Sequence, residues 1–139
     1  MLKKRTFFWV GIPLCLLVIA YWGYHLYQKP HQSAAEETVA LTIDADSLVK
    51  LYQGDEPGTN KLYLGKVIEV TGKLAEIQHT PQTEIWILAA PSGNGGGVNC
   101  QLFPGGKVTD PHPGELVKLK GRCTGFLMDV NLADCVLSK

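Results

Sequence analysis

The chain has 139 residues, with thirteen basic and thirteen acidic side chains and an apolar fraction of 45%. From residue 41 to the C-terminus there are nine Lys/Arg and eleven Asp/Glu, a net charge of −2. Phosphate contacts dominate nucleic-acid affinity and usually require a basic excess, so this balance argues against a nucleic-acid-binding protein. The part of the chain after residue 40, about a hundred residues, is enough for one small domain with a modest core.

The first forty residues predict a membrane anchor followed by a tether. The run from Phe7 to Tyr24 contains no charged residue. As a helix it would rise about 27 Å, close to the ~30 Å hydrocarbon thickness of a bilayer. We therefore predict a cytoplasmic basic start over residues 1–6, a single transmembrane helix over 7–27 and a polar linker over 28–40. A cleaved signal peptide shares the charged start, but the apolar run is long for one and no small-x-small site closes it.

This topology also predicts a location. The basic residues Lys3, Lys4 and Arg5 precede the apolar run, which favours an N-terminus in the cytoplasm. The protein is then a single-pass protein of the cytoplasmic (inner) membrane. Its domain, residues 41–139, is expected outside the cytoplasm, facing the periplasm or the cell exterior.

The domain begins with a predicted short helix and continues as strands. Asp44 is a good N-cap for a helix over residues 44–53, with at most one more turn after Asn60. Beyond Lys66, short β-rich runs alternate with Gly/Pro clusters. Strands are predicted over residues 66–78, 83–90, 98–103, 115–123 and 129–138. Residues 104–114 are too rich in Pro and Gly to form a helix between the third and fourth strands.

The first predicted strand is long, and its apolar alternation changes phase at Gly72. A glycine at such a break lets a long strand coil and serve two sides of a small barrel. The pattern therefore predicts an all-β domain, a five-stranded, partly open OB-fold barrel, with the short N-terminal helix covering its open end. An SH3-like barrel or a small sandwich is the competing fold.

Three stretches of the domain carry a family resemblance: YLGKVIEVTGKLAEI, GVNCQLF and LKGRCTGFLMDVNLADCVL. They contain a Tyr-x-Gly-Lys start at Tyr63, a Val-Thr-Gly at Val70, a strand-three cysteine at Cys100 and a closing Asp-Cys at Asp134. With these motifs the region from Asp44 to Leu137 resembles the anticodon-binding-like OB-fold family called tRNA_anti-like. The resemblance implies an OB-fold in a small bacterial envelope protein. It implies no ligand, because a fold does not carry a function.

Three cysteines fall in predicted strands, at Cys100, Cys123 and Cys135. A zinc site needs closely spaced pairs and a thioredoxin-like site needs C-x-x-C, so we predict neither a metal nor a redox centre. An exported domain favours oxidation, and strands three and five are neighbours in an OB barrel, which makes Cys100–Cys135 the predicted disulfide. Cys123 would then be a free thiol. The alternative is that all three are small core side chains.

The predicted ligand face follows from the fold, because OB domains bind on the outer face of strands two and three and at its flanking loops. If the isoleucines of strand two and the apolar residues of strand three point inward, this face and its loops show Trp86, Asn99, Gln101, Phe103, His79 and Phe126. Aromatic rings and amides suit sugars, bases or peptide groups. The alternative, which we favour for Trp86, buries Trp86 and Phe103 under a loop or the N-terminal helix.

No catalytic triad, carboxylate pair or cofactor motif is recognisable, so we predict no enzyme and no cofactor. The glycine-rich Gly93–Gly97 precedes a strand rather than a helix, which indicates a flexible hairpin loop and not a phosphate loop. We predict a membrane-anchored binding module whose partner is an envelope protein or a glycan. Single-stranded nucleic acid on the strand 2–3 face is a less favoured alternative, and a structural subunit of an envelope complex is another.

Overall fold

The computed structural model describes residues 4–28, 33–105 and 109–139, and the side chains among them from residue 11 onward. Two compact units divide the chain, one up to His31 and one from Gln32. The first holds helix α1. In chain order the elements are α1 (Lys4–Tyr27), β1 (Leu41–Asp44), α2 (Ala45–Gly54), α3 (Glu56–Tyr63), β2 (Val67–His79), β3 (Glu84–Ala89), β4 (Gly97–Leu102), β5 (Leu116–Phe126) and β6 (Val130–Leu137).

Helix α1 covers the segment predicted as a transmembrane anchor, residues 7–27. Within the part of the chain that the structure describes, no helix is both long enough and apolar enough to cross a membrane. Residues 1–3 of the predicted cytoplasmic start and residues 29–32 of the predicted linker lie outside the described residues.

Five strands close a barrel in the second unit. The long strand β2 pairs with β5 through its first half and with β3 through its second half. β3 pairs with β4, β4 runs parallel to β6, and β6 pairs with β5. The order β2-β3-β4-β6-β5, returning to β2, confirms the predicted five-stranded OB-fold barrel. The barrel is closed and mixed rather than partly open.

Gly72 lies where β2 passes from one partner strand to the other, as its phase change predicts. A Cβ at this position would be 2.9 Å from the Cβ of Ala45 and 3.2 Å from that of Leu88. The first distance is too short for a side chain, and the second would require Leu88 to shift. The glycine therefore lets helix α2 approach β2 closely at the point where the strand turns around the barrel.

Helix α2 begins as predicted and covers the barrel with an apolar face. The Asp44 carboxylate accepts a hydrogen bond from the Ser47 N–H at 2.9 Å, which satisfies a free donor of the first turn. Hydrogen bonding by Ser47, through its side chain and then its N–H, lowers the pKa of Asp44. The buried side chains of α2 belong to the barrel core: Ala45, Leu48, Val49 and Tyr52. The sequence predicted only one further turn after α2, whereas α3 is a separate eight-residue helix capped by Asp55.

Residues 33–40 lie against the barrel, so this part of the predicted linker is not a free tether. Ala34 is buried. Lys120 donates hydrogen bonds to the carbonyls of Ala35 and Glu37, and Arg122 forms an ion pair with the Glu37 carboxylate. We call residues 33–40 the strap. Its composition is that of a linker, but two basic side chains of β5 hold its backbone and its acidic residue.

Candidate functional site

A groove opens on the outside of the barrel where β3, β4 and β6 lie side by side. Its volume is about 360 Å³, within the range of small-ligand sites. Aliphatic side chains, Asp129 and Thr124 form part of its lining. Four carboxamide side chains also line it, those of Gln78, Asn99, Gln101 and Asn131. We call it the amide groove.

Strand register places these side chains in two rows across the sheet. In one row Ile85 pairs with Gln78 on β2 and with Gln101 on β4. In the other, Asn99 pairs with Ile87 on β3 and with Asn131 on β6. Positions two apart on a strand share a face, so both rows point outward, about 7 Å from each other. The groove is therefore built on rigid strands rather than on loops.

A hydrogen-bond network around Asp129 fixes the end of the groove nearest the β5–β6 turn. One Asp129 carboxylate oxygen accepts from the Gly97 N–H at 2.7 Å, and the other accepts from Asn99 Nδ2 at 3.3 Å. Asn99 Nδ2 also lies 3.5 Å from Asn131 Oδ1. These bonds orient the Asn99 carboxamide and leave its Oδ1 buried with no hydrogen-bond partner among the described residues.

Trp86 does not lie on this face. Its side chain is fully buried in the barrel core, and its indole N–H donates to a Glu84 carboxylate oxygen at 3.2 Å. Trp86 pairs directly with Cys100, and directly opposed residues share a face of the sheet. Because Cys100 points inward, Trp86 must as well. Ile85 and Ile87 then point outward, which corrects the expectation that they face the core.

Of the other predicted face residues, Asn99 and Gln101 line the groove, whereas three aromatic residues do not. His79 is exposed beside β3, with Nδ1 3.2 Å from a Glu84 carboxylate oxygen. Phe103 is half-buried just after β4. Phe126 stacks on the core residue Tyr52, with ring centroids 5.6 Å apart.

Sequence reasoning missed four polar groove residues: Gln78, Thr124, Asp129 and Asn131. Asn131 could have been predicted, because an OB-fold places the last strand beside the third and so brings Asn131 near Asn99. No local signal indicates Asp129, which reaches Gly97 across 32 positions of sequence. Its contribution depends on the way the β5–β6 turn folds over the start of β4.

Asp129 is the one charged side chain among the described residues that line the groove. None of these lining residues is aromatic. The basic residues of β5 are paired elsewhere on the barrel. Lys118 Nζ lies 3.7 Å from a Glu69 carboxylate oxygen, and Lys120 and Arg122 bind the strap. The groove is therefore neutral to acidic.

The glycine-rich loop before β4 is held at three points. The Ser92 N–H donates to the Asp46 carboxylate at 2.7 Å, which lowers the pKa of Asp46. The Asn94 N–H donates to the Gln53 side chain at 3.2 Å. Together with the bond from Gly97 to Asp129, these contacts join the loop to α2 and to the β5–β6 turn. The flexibility predicted for this loop stays a prediction.

All three barrel cysteines are buried, and the structure has them as free thiols. The thiols of Cys100 and Cys135 are neighbours, and the bridge between them stays a prediction. A hydrogen bond with Cys100, together with burial, raises the pKa of Cys135. Cys123 Sγ lies 3.2 Å from the Tyr52 hydroxyl. Within the described residues, no group of three or more His, Cys, Asp or Glu side chains could hold a metal ion.

The family model described as tRNA_anti-like matches residues 1–136. The chain belongs to the tRNA_anti-like family. This match confirms the resemblance seen in the strand motifs. It begins at the first residue, so it extends beyond the region from Asp44 onward that carries those motifs.

Two solved structures are similar to parts of this chain. A proposed nucleic acid-binding lipoprotein from Klebsiella pneumoniae subsp. pneumoniae MGH 78578 is similar with a TM-score of 0.54 and 13% identity, over 70% of this chain and 92% of that chain. The OBody AM3L09, bound to hen egg-white lysozyme, has a TM-score of 0.37 and 17% identity, over 53% and 82%. The first likeness shows the fold alone, and the second is too distant to add to it. A search among curated proteins gave no match.

Proposed function

We propose that this protein is a non-catalytic binding module that holds its ligand in the amide groove. The observation that carries the proposal is the convergence of four carboxamides and one carboxylate in a groove of about 360 Å³ on the outer face of β3, β4 and β6. OB-folds use this part of the barrel for ligands. Polar side chains that can donate and accept hydrogen bonds, held on strands, suit recognition rather than bond-breaking chemistry.

The groove is preorganised, which supports a binding role. The closed barrel fixes the strands, and the network from Asp129 through Asn99 to Asn131 fixes the side chains. A binding site whose side chains are already oriented loses less conformational entropy when the ligand arrives.

Nucleic-acid binding is the second candidate, favoured by the description of the Klebsiella lipoprotein. Single-stranded nucleic acid is normally held by a basic track and by aromatic platforms for the bases. The amide groove offers neither, and Asp129 would repel phosphate. The groove therefore supports this candidate less well than a neutral or cationic ligand.

The location of the domain is a separate part of the proposal. The uncharged run from Phe7 to Tyr24 and the basic residues before it support attachment to the inner membrane with the domain outside the cytoplasm. A phosphatase reporter fused after Lys139 tests this. Activity of a reporter that works only outside the cytoplasm is expected, and activity confined to a cytoplasmic reporter would refute it.

The groove can be tested by filling it. Gln101 is exposed and points into the groove, so Gln101→Trp should block the groove without disturbing the core. Lys73→Trp, at an exposed position of β2 outside the groove lining, is the matched control. The full chain is screened against a peptide library, a deoxythymidine oligonucleotide and a glycan array. The binder found should be lost with Gln101→Trp and kept with Lys73→Trp; equal binding by both variants would refute the groove as the site.

A further inference from the structure

We infer that the ligand of the amide groove is an extended peptide segment with a basic side chain beside an apolar one. The inference rests on the proposed function, since it names the ligand class of the same groove. It follows from the chemistry of the lining and from two exposed side chains at one end of the groove.

The side chains that line the groove favour a peptide over a sugar, a nucleobase or a phosphate. Sugars and nucleobases are usually held by stacking on aromatic rings. Among the described residues that line the groove there is no aromatic side chain, because Trp86 lies in the core and Phe126 stacks on Tyr52. Phosphate is opposed by Asp129. A peptide needs neither stacking nor a cation.

Carboxamides match the peptide backbone group for group. A carboxamide has two N–H donors and a carbonyl acceptor, which complement the C=O and N–H of a peptide unit. Asn99 already uses its amide nitrogen within the protein and would offer the peptide its Oδ1, whereas Gln78 and Asn131 each donate one internal hydrogen bond from the amide nitrogen. From Gln78 on β2 to Asn131 on β6 the groove crosses three strand spacings, about 14 Å, the length of about four extended residues. Ile85 and Ile87 lie between these amides and can contact apolar side chains.

The buried Oδ1 of Asn99 adds an unmet acceptor to this surface. A buried acceptor without a donor costs free energy. Its amide nitrogen is already held by Asp129 and Asn131, so turning the carboxamide over would point an oxygen at a carboxylate. An N–H group supplied by a ligand that displaces the neighbouring side chains would satisfy this oxygen.

Asp129 gives the ligand its charge preference. Among the described residues of the groove lining it is the only charged side chain, and it is half-buried. A lysine or arginine side chain of the peptide would meet this carboxylate, whose remaining lone pairs can accept further hydrogen bonds. An acidic side chain at the same place would be repelled.

The apolar preference comes from the hairpin tip. Leu127 and Met128, which directly precede Asp129, are exposed to 83% and 84%. Phe126 is packed on Tyr52, so the tip is fixed to the core while the next two side chains remain in solvent. Large exposed apolar side chains continuous with a groove are typical of an interaction surface. A peptide that leaves the groove past Asp129 would cover them.

The test uses the full chain and a positional-scanning library of short peptides with blocked ends, with affinities measured by fluorescence anisotropy. We expect binding that is blocked by Gln101→Trp, with selection of Lys or Arg at one position and of an apolar residue beside it. Asp129→Asn should remove the preference for the basic residue, lowering affinity about two- to fivefold, as for a partly exposed ion pair. Leu127→Ser with Met128→Ser should lower affinity about tenfold, because two exposed side chains no longer lose water on binding.

The outcomes separate this inference from the proposed function. If an oligonucleotide or a glycan binds and is blocked by Gln101→Trp while no peptide is, the groove is the site and the peptide assignment is wrong. If no probe is blocked by Gln101→Trp, the proposed function itself fails. An unchanged Lys/Arg preference in Asp129→Asn, or unchanged peptide affinity in the Leu127/Met128 double variant, would also overturn the inference. Neither tip side chain is packed in the core, so the double variant should fold.

Discussion

Trp86→Ala distinguishes a core position from a place on the ligand face. The side chain is fully buried among barrel residues and its indole N–H is hydrogen-bonded to Glu84. Replacing a buried tryptophan by alanine removes about 3–5 kcal/mol of stability. Domains of this size have a free energy of unfolding of about 5–15 kcal/mol, so the loss is a large fraction of the total. In thermal terms it corresponds to a fall in Tm of about 12 °C or more.

The assay is urea denaturation of the full chain followed by circular dichroism, with Ile85→Ala as the control on the same strand. Ile85 is half-exposed in the groove, so its truncation should cost less than about 1.5 kcal/mol. Trp86→Phe should keep most of the stability and leave peptide binding unchanged. If Trp86→Ala were as stable as the Ile85 control and had lost binding, Trp86 would lie on the face and the register of β3 against β4 would be wrong.

Three further predictions concern packing, capping and the strap. Gly121→Ala would place its Cβ against Cys135 Sγ, so we expect the free energy of unfolding to fall by about 1–3 kcal/mol. Urea denaturation should show that adding Cys135→Ala restores part of this stability. Asp44→Ala should cost about 1 kcal/mol at pH 7. The folded-state pKa of Asp44 is lowered, so its stabilising effect is complete above the unfolded pKa near 4 and is lost as pH falls through the folded pKa. The free energies of unfolding of Asp44→Ala and of the unchanged protein should therefore become equal in acid. Glu37→Gln removes the ion pair with Arg122 and should speed proteolysis within residues 33–40, whereas Glu36→Gln, an exposed neighbour, should not.

Much of the barrel could be predicted because its signals are local. The Gly/Pro breaks separate the strands, Asp44 marks the start of α2, and the phase change at Gly72 marks the strand that serves both sides of the barrel. Asn99 and Gln101 were found because β4 has one apolar and one polar face, which fixes its orientation.

The rest depends on contacts that the local pattern does not contain. Strand β3 is apolar on both faces, so its alternation cannot show whether Trp86 or its isoleucine neighbours point inward; pairing with Cys100 decides this. The strap has the composition of a linker and is held by side chains more than 80 positions away. Asp129 joins the groove only through the turn between β5 and β6.

The most direct test of whether the ligand lies in the amide groove is a titration of the full chain with the tightest-binding peptide from the library. The measurement is the backbone ¹H–¹⁵N chemical shifts. We predict that the largest changes fall on Asn99, Gln101 and Asn131 and on the turn at Leu127 and Met128, with little change along the strap. Changes confined to the strap and the basic side of β5, with the groove unaffected, would contradict the proposal that the ligand binds in the amide groove.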